Sequence, residues 1–383
     1  MMHMVDKEYL FEGEVTEESV STTDSNLSDI YPDATLNIYR DTASVFQMKR
    51  KWEKIPSMLN LTPEFQRELV WSSKQKSELI ESMIMGIPLP AFYVREDKNG
   101  VYIVVDGKQR LTALFEFIDC KYRLSKLNIL KKLEGKNFEE LTPIEQNKIE
   151  DYTLSINVIK APTSDRVTFD LFDRVNRGGT HLNNQEMRNA LYQGTSTELI
   201  NNLAKMECYR TATEKSIPPT HMKDRYLILR FLAFYLYKEE KYKKLISADN
   251  ITYKSNIDDF LGKTMDFINK FTLDSDFIKD LTHVFTQSMK MASRVIVPIG
   301  GFRLPSEPGK NRRPINMAFF ESFSYLLAKA NNETDAFVVN AYYSLLNDDI
   351  YINAVTYSVD NSNQTDKRYN CIDKILNTVK YDL

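Results

Sequence analysis

Apolar residues at 111, 114, 115 and 118 recur at the i, i+3, i+4, i+7 spacing of one buried helix face, and the run VYIVV at 101–105 reads as a strand. The element is therefore strand, Asp-Gly turn, helix. Asp106 is expected to cap the first backbone N–H groups, and Gly107 to let the chain turn tightly. The same patterning predicts helices over 43–58, 73–85, near 142–150, over 165–175 and from about 184, with further strands near 91–95 and over 152–160. In the helix over 73–85, Leu79, Ile80, Met83 and Ile84 form the inner face. Ser72 or Ser73 caps it, Gly86 ends it, and Pro88 and Pro90 prevent its continuation. From about 195 onward the pattern turns helical. RYLILRFLAFYLY (225–237) and MAFFESFSYLLAKA (317–330) are apolar on so much of their circumference that both should be buried.

This patterning divides the chain into an acidic, Ser- and Thr-rich arm over 1–40, expected to be loosely ordered, a mixed α and β half over 41–192, and an all-helical half over 193–383. The fold class expected is α+β followed by a helical domain. Composition changes little in that picture. The chain's 383 residues suffice for roughly two cores, and a formal net charge of −3 means that any nucleic-acid contact must come from a local patch. Cys120, Cys208 and Cys371 lie far apart, in no ligand or disulfide pattern, which argues for a reducing cytoplasm. No apolar run approaches the roughly 20 residues needed to span a bilayer, so a cytoplasmic location is expected.

Candidate chemistry gathers in three motifs. In the first, Gln66, Arg67 and Trp71 precede the capped helix. Either Arg67 pairs with an acid such as Glu78 and Trp71 packs on the core, or Gln66 and Arg67 belong to an anion or base site. The second is Asp106-Gly107-Lys108-Gln109-Arg110, which puts two cations at the positive end of a helix dipole, against the usual preference for acids there. Either the cations are solvated, or the backbone N–H groups with Lys108 and Arg110 clamp a phosphate. In the third, Asn176, Arg177, Gly178 and Gly179 break a helix, and Asn183 followed by Glu186 forms a capping box for the next. Gly-Gly serves a C-cap and a turn, and also lets backbone approach a ligand closely. Asn176, Arg177, Glu186, Arg188 and Asn189 are dense polar equipment for a mere corner. Asp106 or Glu186 could hold a magnesium ion together with nucleotide phosphates, since that metal takes one or two carboxylates plus phosphate oxygens.

Other chemistries are disfavoured. Gly262 to Thr264 has Ile257 where a phosphate loop needs its first glycine. His3, His181, His221 and His283 are scattered without nearby cysteine, against a zinc site or a Cys/His nucleophile pair. A loop with Arg303, Lys310, Arg312 and Arg313 is basic enough to touch a phosphate backbone, or is simply solvated.

FQRELVW (65–71), ELIESMIMGIPLPAFYV (78–94), VVDGKQRLTAL (104–114) and FDRVNRGGTHLNNQEMRNAL (172–191), in that order and spacing, resemble the N-terminal domain of GmrSD-type restriction endonucleases. The resemblance implies a ParB/sulfiredoxin-like α+β fold, nucleoside triphosphate binding with magnesium, and hydrolysis that controls restriction of modified phage DNA. It further implies that Gln66 and Arg67 border the pocket, and that Asp106, Gly107, Gln109 and Arg110 form its catalytic or phosphate-binding edge. Asn176, Arg177, Gly178, Gly179, Glu186 and Arg188 would close it. In the reading favoured on the residues, Asp106 and Glu186 position metal or water, and Arg67, Lys108 and Arg110 neutralise phosphates. The family signature is Asp-Gly-Gln-Gln-Arg. Here Lys108 replaces the first Gln, which either strengthens phosphate binding or alters nucleotide choice or hydrolysis. Full-length relatives carry a His-Asn-His nuclease domain; none is read here, so a separate nuclease chain is the expected partner and this chain is not expected to cut DNA by itself. The rival reading is a non-enzymatic DNA or protein adaptor with a vestigial pocket. A homodimer stays open, because the apolar helices serve either a dimer or a core.

Overall fold

The computed structural model describes residues 11–12, 37–61, 71–97, 99–160, 183–218, 222–249, 251–306, 309 and 311–378. The chain divides into two compact units, Asn26–Leu191 and Met1–Ser25 with Tyr192–Leu383. The class is α+β.

The mixed unit is built on five strands, β1 (Ile38–Ser44), β2 (Leu59–Asn60), β3 (Phe92–Glu96), β4 (Tyr102–Asp106) and β5 (Thr153–Ile159), in the order β1-β5-β3-β4-β2. β1 runs antiparallel to β5, β5 parallel to β3, β3 antiparallel to β4 and β4 parallel to β2. Its helices are α1 (Val45–Glu53), α2 (Ser73–Ile84), α3 (Lys108–Ile118), α4 (Pro143–Glu150) and α5 (Asn184–Leu191). The expected helix over 43–58 is thus shorter, and the chain before it is a strand. Ser44 ends β1 and caps α1 through a reciprocal bond with Gln47. The helix predicted over 165–175 lies outside the described residues.

One core holds this unit together. Leu154, Ile156 and Val158 alternate inward along β5, and Leu111, Leu114 and Phe115 reach the same cluster from α3. Burying each such side chain contributes roughly 1.5–3 kcal/mol. Ser72 caps α2 in a capping box with Gln75, while Leu79, Ile80, Met83 and Ile84 are all buried and Trp71 packs against the core.

The helical unit contains α6 (Thr195–Lys205), α7 (Glu207–Ala212), α8 (Lys223–Lys238), α9 (Lys243–Ala248), α10 (Ile257–Ile268), α11 (Asp276–Met291), α12 (Met317–Lys329), α13 (Asp335–Leu346), α14 (Asp349–Thr356) and α15 (Ser362–Thr378). α8 packs on α12, and both are buried along most of their length. Two described residues of the N-terminal arm, Phe11 and Glu12, belong to this unit. Phe11 is buried, and Glu12 bridges Asn316 in parallel while its carboxylate pairs with Arg313. The three cysteines are free thiols, and no helix among the described residues is long and apolar enough to cross a membrane.

Candidate functional site

The turn from β4 into α3 is fixed by one glycine. Gly107 has φ +98°, and a Cβ there would lie 2.2 Å from Cδ1 of Phe92, so neither the backbone conformation nor the space admits a side chain. Gly107 is also the N-cap residue of α3 and has no side chain with which to cap it. The expected cap from Asp106 is absent. Its Oδ2 instead accepts a 2.6 Å hydrogen bond from Nη2 of Arg110, one turn into the helix. A guanidinium partner makes a charge-assisted bond, stronger than the bond to a neutral amide, and so draws the carboxylate away from the helix end.

Arg110 is held on several sides. Nη1 donates to the carbonyl of Pro90, Nη2 donates to the carbonyl of Ala91 at 3.3 Å, and the guanidinium lies 4.2 Å from the centroid of the Phe92 ring. Its side chain is only 12% exposed, so the guanidinium is a brace for Asp106 and the Pro90–Ala91 segment more than a solvated cation. Burial pulls its pKa down, and Asp106 opposes that pull. Burial likewise lowers the pKa of Lys108. Beside them, Oε1 of Gln109 is buried without a hydrogen-bond partner.

Pro90, Ala91 and Phe92 escaped the sequence reading of this site. Pro88 and Pro90 had signalled only a helix stop, yet the same residues keep 87–91 out of regular structure and leave carbonyls unclaimed by the sheet. Only the pairing of β3 with β4 brings them to Arg110.

α5 packs against β4 and supplies the second group of polar side chains. Asn183 Oδ1 accepts from the N–H groups of Gln185 and Glu186 at 2.9 Å, and Oε2 of Glu186 accepts from the Asn183 N–H at 2.8 Å. The predicted capping box is therefore formed, and it engages the Glu186 carboxylate. Nε of Arg188 donates to Oε1 of Gln185 at 3.1 Å. Gln185, Glu186, Arg188 and Asn189 are each at most 3% exposed. Nε2 of Gln185 and both amide atoms of Asn189 have no hydrogen-bond partner.

The sequence-predicted residues Asp106, Gly107, Lys108, Gln109 and Arg110 thus share one turn, and Glu186 and Arg188 lie on the helix packed against the strand that leads into it. Gln66, Arg67, Asn176, Arg177, Gly178 and Gly179 lie outside the described residues. Among the described residues, no group of three or more acidic, His or Cys side chains could hold a metal ion by itself. Asp106, its carboxylate a third exposed, still fits a magnesium ion whose remaining ligands are phosphate oxygens and water. Elsewhere, the glycine of the Gly-Lys-Thr triplet is buried within α10. In the basic loop, Arg303 and Arg312 both pair with Glu214.

A family model described as the N-terminal domain of the GmrSD restriction endonuclease matches residues 45–193. No curated protein and no solved structure matches the chain in the corresponding comparisons.

Proposed function

Residues 45–193 belong to the GmrSD restriction endonuclease N-terminal domain family, and from that premise we propose that this chain is the nucleotide-binding component of a DNA restriction system. The observation that carries the reading is the partnerless Oε1 of Gln109, buried on the first turn of a helix whose N-cap residue is Gly107. A helix start offers backbone N–H groups and a positive dipole to phosphate, and a buried acceptor beside it calls for a ligand that also donates.

In this reading the triphosphate lies at the start of α3, with Lys108 neutralising it. Arg110 acts through Asp106, whose carboxylate it holds in place for the metal or for the attacking water. Magnesium, when bound, supplies neutralisation of charge on the phosphate oxygens. Glu186 serves chiefly to fix the start of α5. The fold is of the ParB/sulfiredoxin type, the location cytoplasmic, and the helical unit engages DNA, including modified phage DNA, or a separate nuclease chain, alone or as a homodimer. One observation favours the adaptor reading: Asp106, Arg110 and Glu186 already have partners within the chain.

Calorimetric titration of the full chain with ATP, GTP, CTP and UTP in magnesium decides between them. Arg110→Ala is a poor control, because it also strips two backbone carbonyls and Asp106 of their donor. Lys108→Ala instead removes the cation assigned to the phosphate. Micromolar binding weakened about tenfold or more by Lys108→Ala is expected, the worth of one charge-assisted contact. Absence of binding at millimolar nucleotide would overturn the proposal in favour of the adaptor. Hydrolysis with and without modified DNA is then the next assay.

A further inference from the structure

Two side chains on α5 have hydrogen-bonding capacity that the chain does not use. Asn189 is 0% exposed, and neither its Oδ1 nor its Nδ2 has a partner; Gln185, 3% exposed, leaves Nε2 unpaired. They stand four residues apart, hence on one face of the helix, one turn above the other. Burying an amide without a partner is costly, and an apolar residue of similar volume would serve the core better. Such a residue persists where something outside the chain completes it.

The chemistry of the unpaired atoms narrows what that is. A phosphate offers acceptors only, so it could satisfy Nδ2 of Asn189 and Nε2 of Gln185 and nothing else. Oδ1 of Asn189 and Oε1 of Gln109 require donors. A planar carboxamide that presents one donor and one acceptor side by side matches the edge of a nucleobase, where an amino or imino donor adjoins a ring or carbonyl acceptor. The helix that carries these amides packs against β4, the strand that leads into α3. We infer that Asn189, assisted by Gln185, reads the hydrogen-bonding edge of the nucleobase and sets which nucleotide this site prefers. The inference rests on the nucleotide reading above and deepens it.

The test compares wild type with Asn189→Leu in titrations with each of the four nucleoside triphosphates and with inorganic tripolyphosphate, all in magnesium. Wild type should show a spread of at least about tenfold among the four bases. In Asn189→Leu that spread should collapse toward unity while tripolyphosphate affinity is unchanged. An equal loss for all four bases with the spread retained would point to the sugar and overturn the inference; so would affinities that do not change. If wild type binds no nucleotide, this inference falls together with the proposed site. Asn189→Leu should also melt no lower than wild type, since the amide has no partner to lose. A large drop in melting temperature would make Asn189 a structural residue. Gln185→Glu provides a second variant: it keeps an acceptor for Arg188 and replaces the unpaired donor with an acceptor. It should change which base is preferred, and an unchanged order of preference would remove Gln185 from the site.

Discussion

The two units treat buried polar groups differently. In the helical unit, Glu321 accepts from Nε of Arg230 at 2.6 Å and from Nη2 of Arg368, all three being 0% exposed. Arg230 further pairs with Asp360 at 2.8 Å and donates to Tyr226 at 3.0 Å, while Arg368 donates to the carbonyl of Val359 at 2.6 Å. Single atoms stay unpaired there, Nε of Arg368 and the hydroxyl of Tyr369 among them, but each ion has its counter-charge. In the mixed unit, by contrast, the whole amide of Asn189 is buried with no partner. A closed set of charges ties α8, α12 and α15 together and asks nothing of a ligand. An open set has a use only when something binds.

The largest expected effect comes from breaking the closed set. Glu321→Ala would leave buried Arg368 without the counter-charge it pairs with and Arg230 with Asp360 alone, a change expected to cost about 3–5 kcal/mol. Urea unfolding of the helical unit, followed by aromatic fluorescence, should show a midpoint far below that of wild type. A shift within error would mean that water already screens the pair. Replacing Arg230, Glu321 and Arg368 together by Met, Leu and Met sharpens the comparison. If the cluster is purely architectural, the triple variant should recover most of the lost stability.

A smaller loss is expected at the turn that builds the open site. Gly107→Ala forces a Cβ into the Phe92 ring at 2.2 Å and places an L-residue at φ +98°. Overpacking typically costs about 1–3 kcal/mol, and the left-handed backbone adds about 1–2 kcal/mol. Melting temperature and nucleotide affinity should fall together, since the same turn positions Asp106 and Lys108. A variant with normal stability and normal binding would remove Gly107 from its assigned role.

How much of this was legible follows from how local each feature is. The inner faces of α2 and α3, the Ser72 cap and the Asn183–Glu186 box all depend on residues within one or two turns, and periodicity exposes them. β1 was read as arm and helix because its partner is β5, far along the chain, and IYRDTAS carries only weak alternation. The Asp106 cap was misread for a related reason. Local rules favour it, but Arg110, steadied by Pro90, Ala91 and Phe92, competes for the carboxylate, and those residues arrive only through the sheet. The Arg230–Glu321–Arg368 cluster draws on three helices; in sequence Arg230 and Glu321 look like isolated polar residues within apolar helices, and Arg368 like one more polar residue of a polar helix.

The smallest effect expected tests whether openness belongs to the site alone or to the whole mixed unit. Glu81 on α2 is 5% exposed, and its carboxylate accepts the N–H groups of Asn128, Ile129 and Leu130 at 3.2, 2.7 and 2.6 Å. Burial pushes its pKa up, but those three donors together bring it below the ordinary value of 4.5. A carboxyl with a depressed folded-state pKa adds stability above its unfolded value, and that stability disappears as pH falls through the folded-state value. Glu81→Gln should therefore cost about 1 kcal/mol at pH 7, the difference between charge-assisted and neutral hydrogen bonds. The gap between variant and wild type should narrow as pH drops below 4.5. Urea midpoints measured for both proteins from pH 7 to pH 3 check this. A constant gap would mean that Glu81 is not held ionised by its donors, and the mixed unit would then leave polar groups uncompensated in its scaffold as well as beside the candidate site. A narrowing gap would show that this scaffold carboxylate is compensated within the chain, unlike the amides of Gln185 and Asn189.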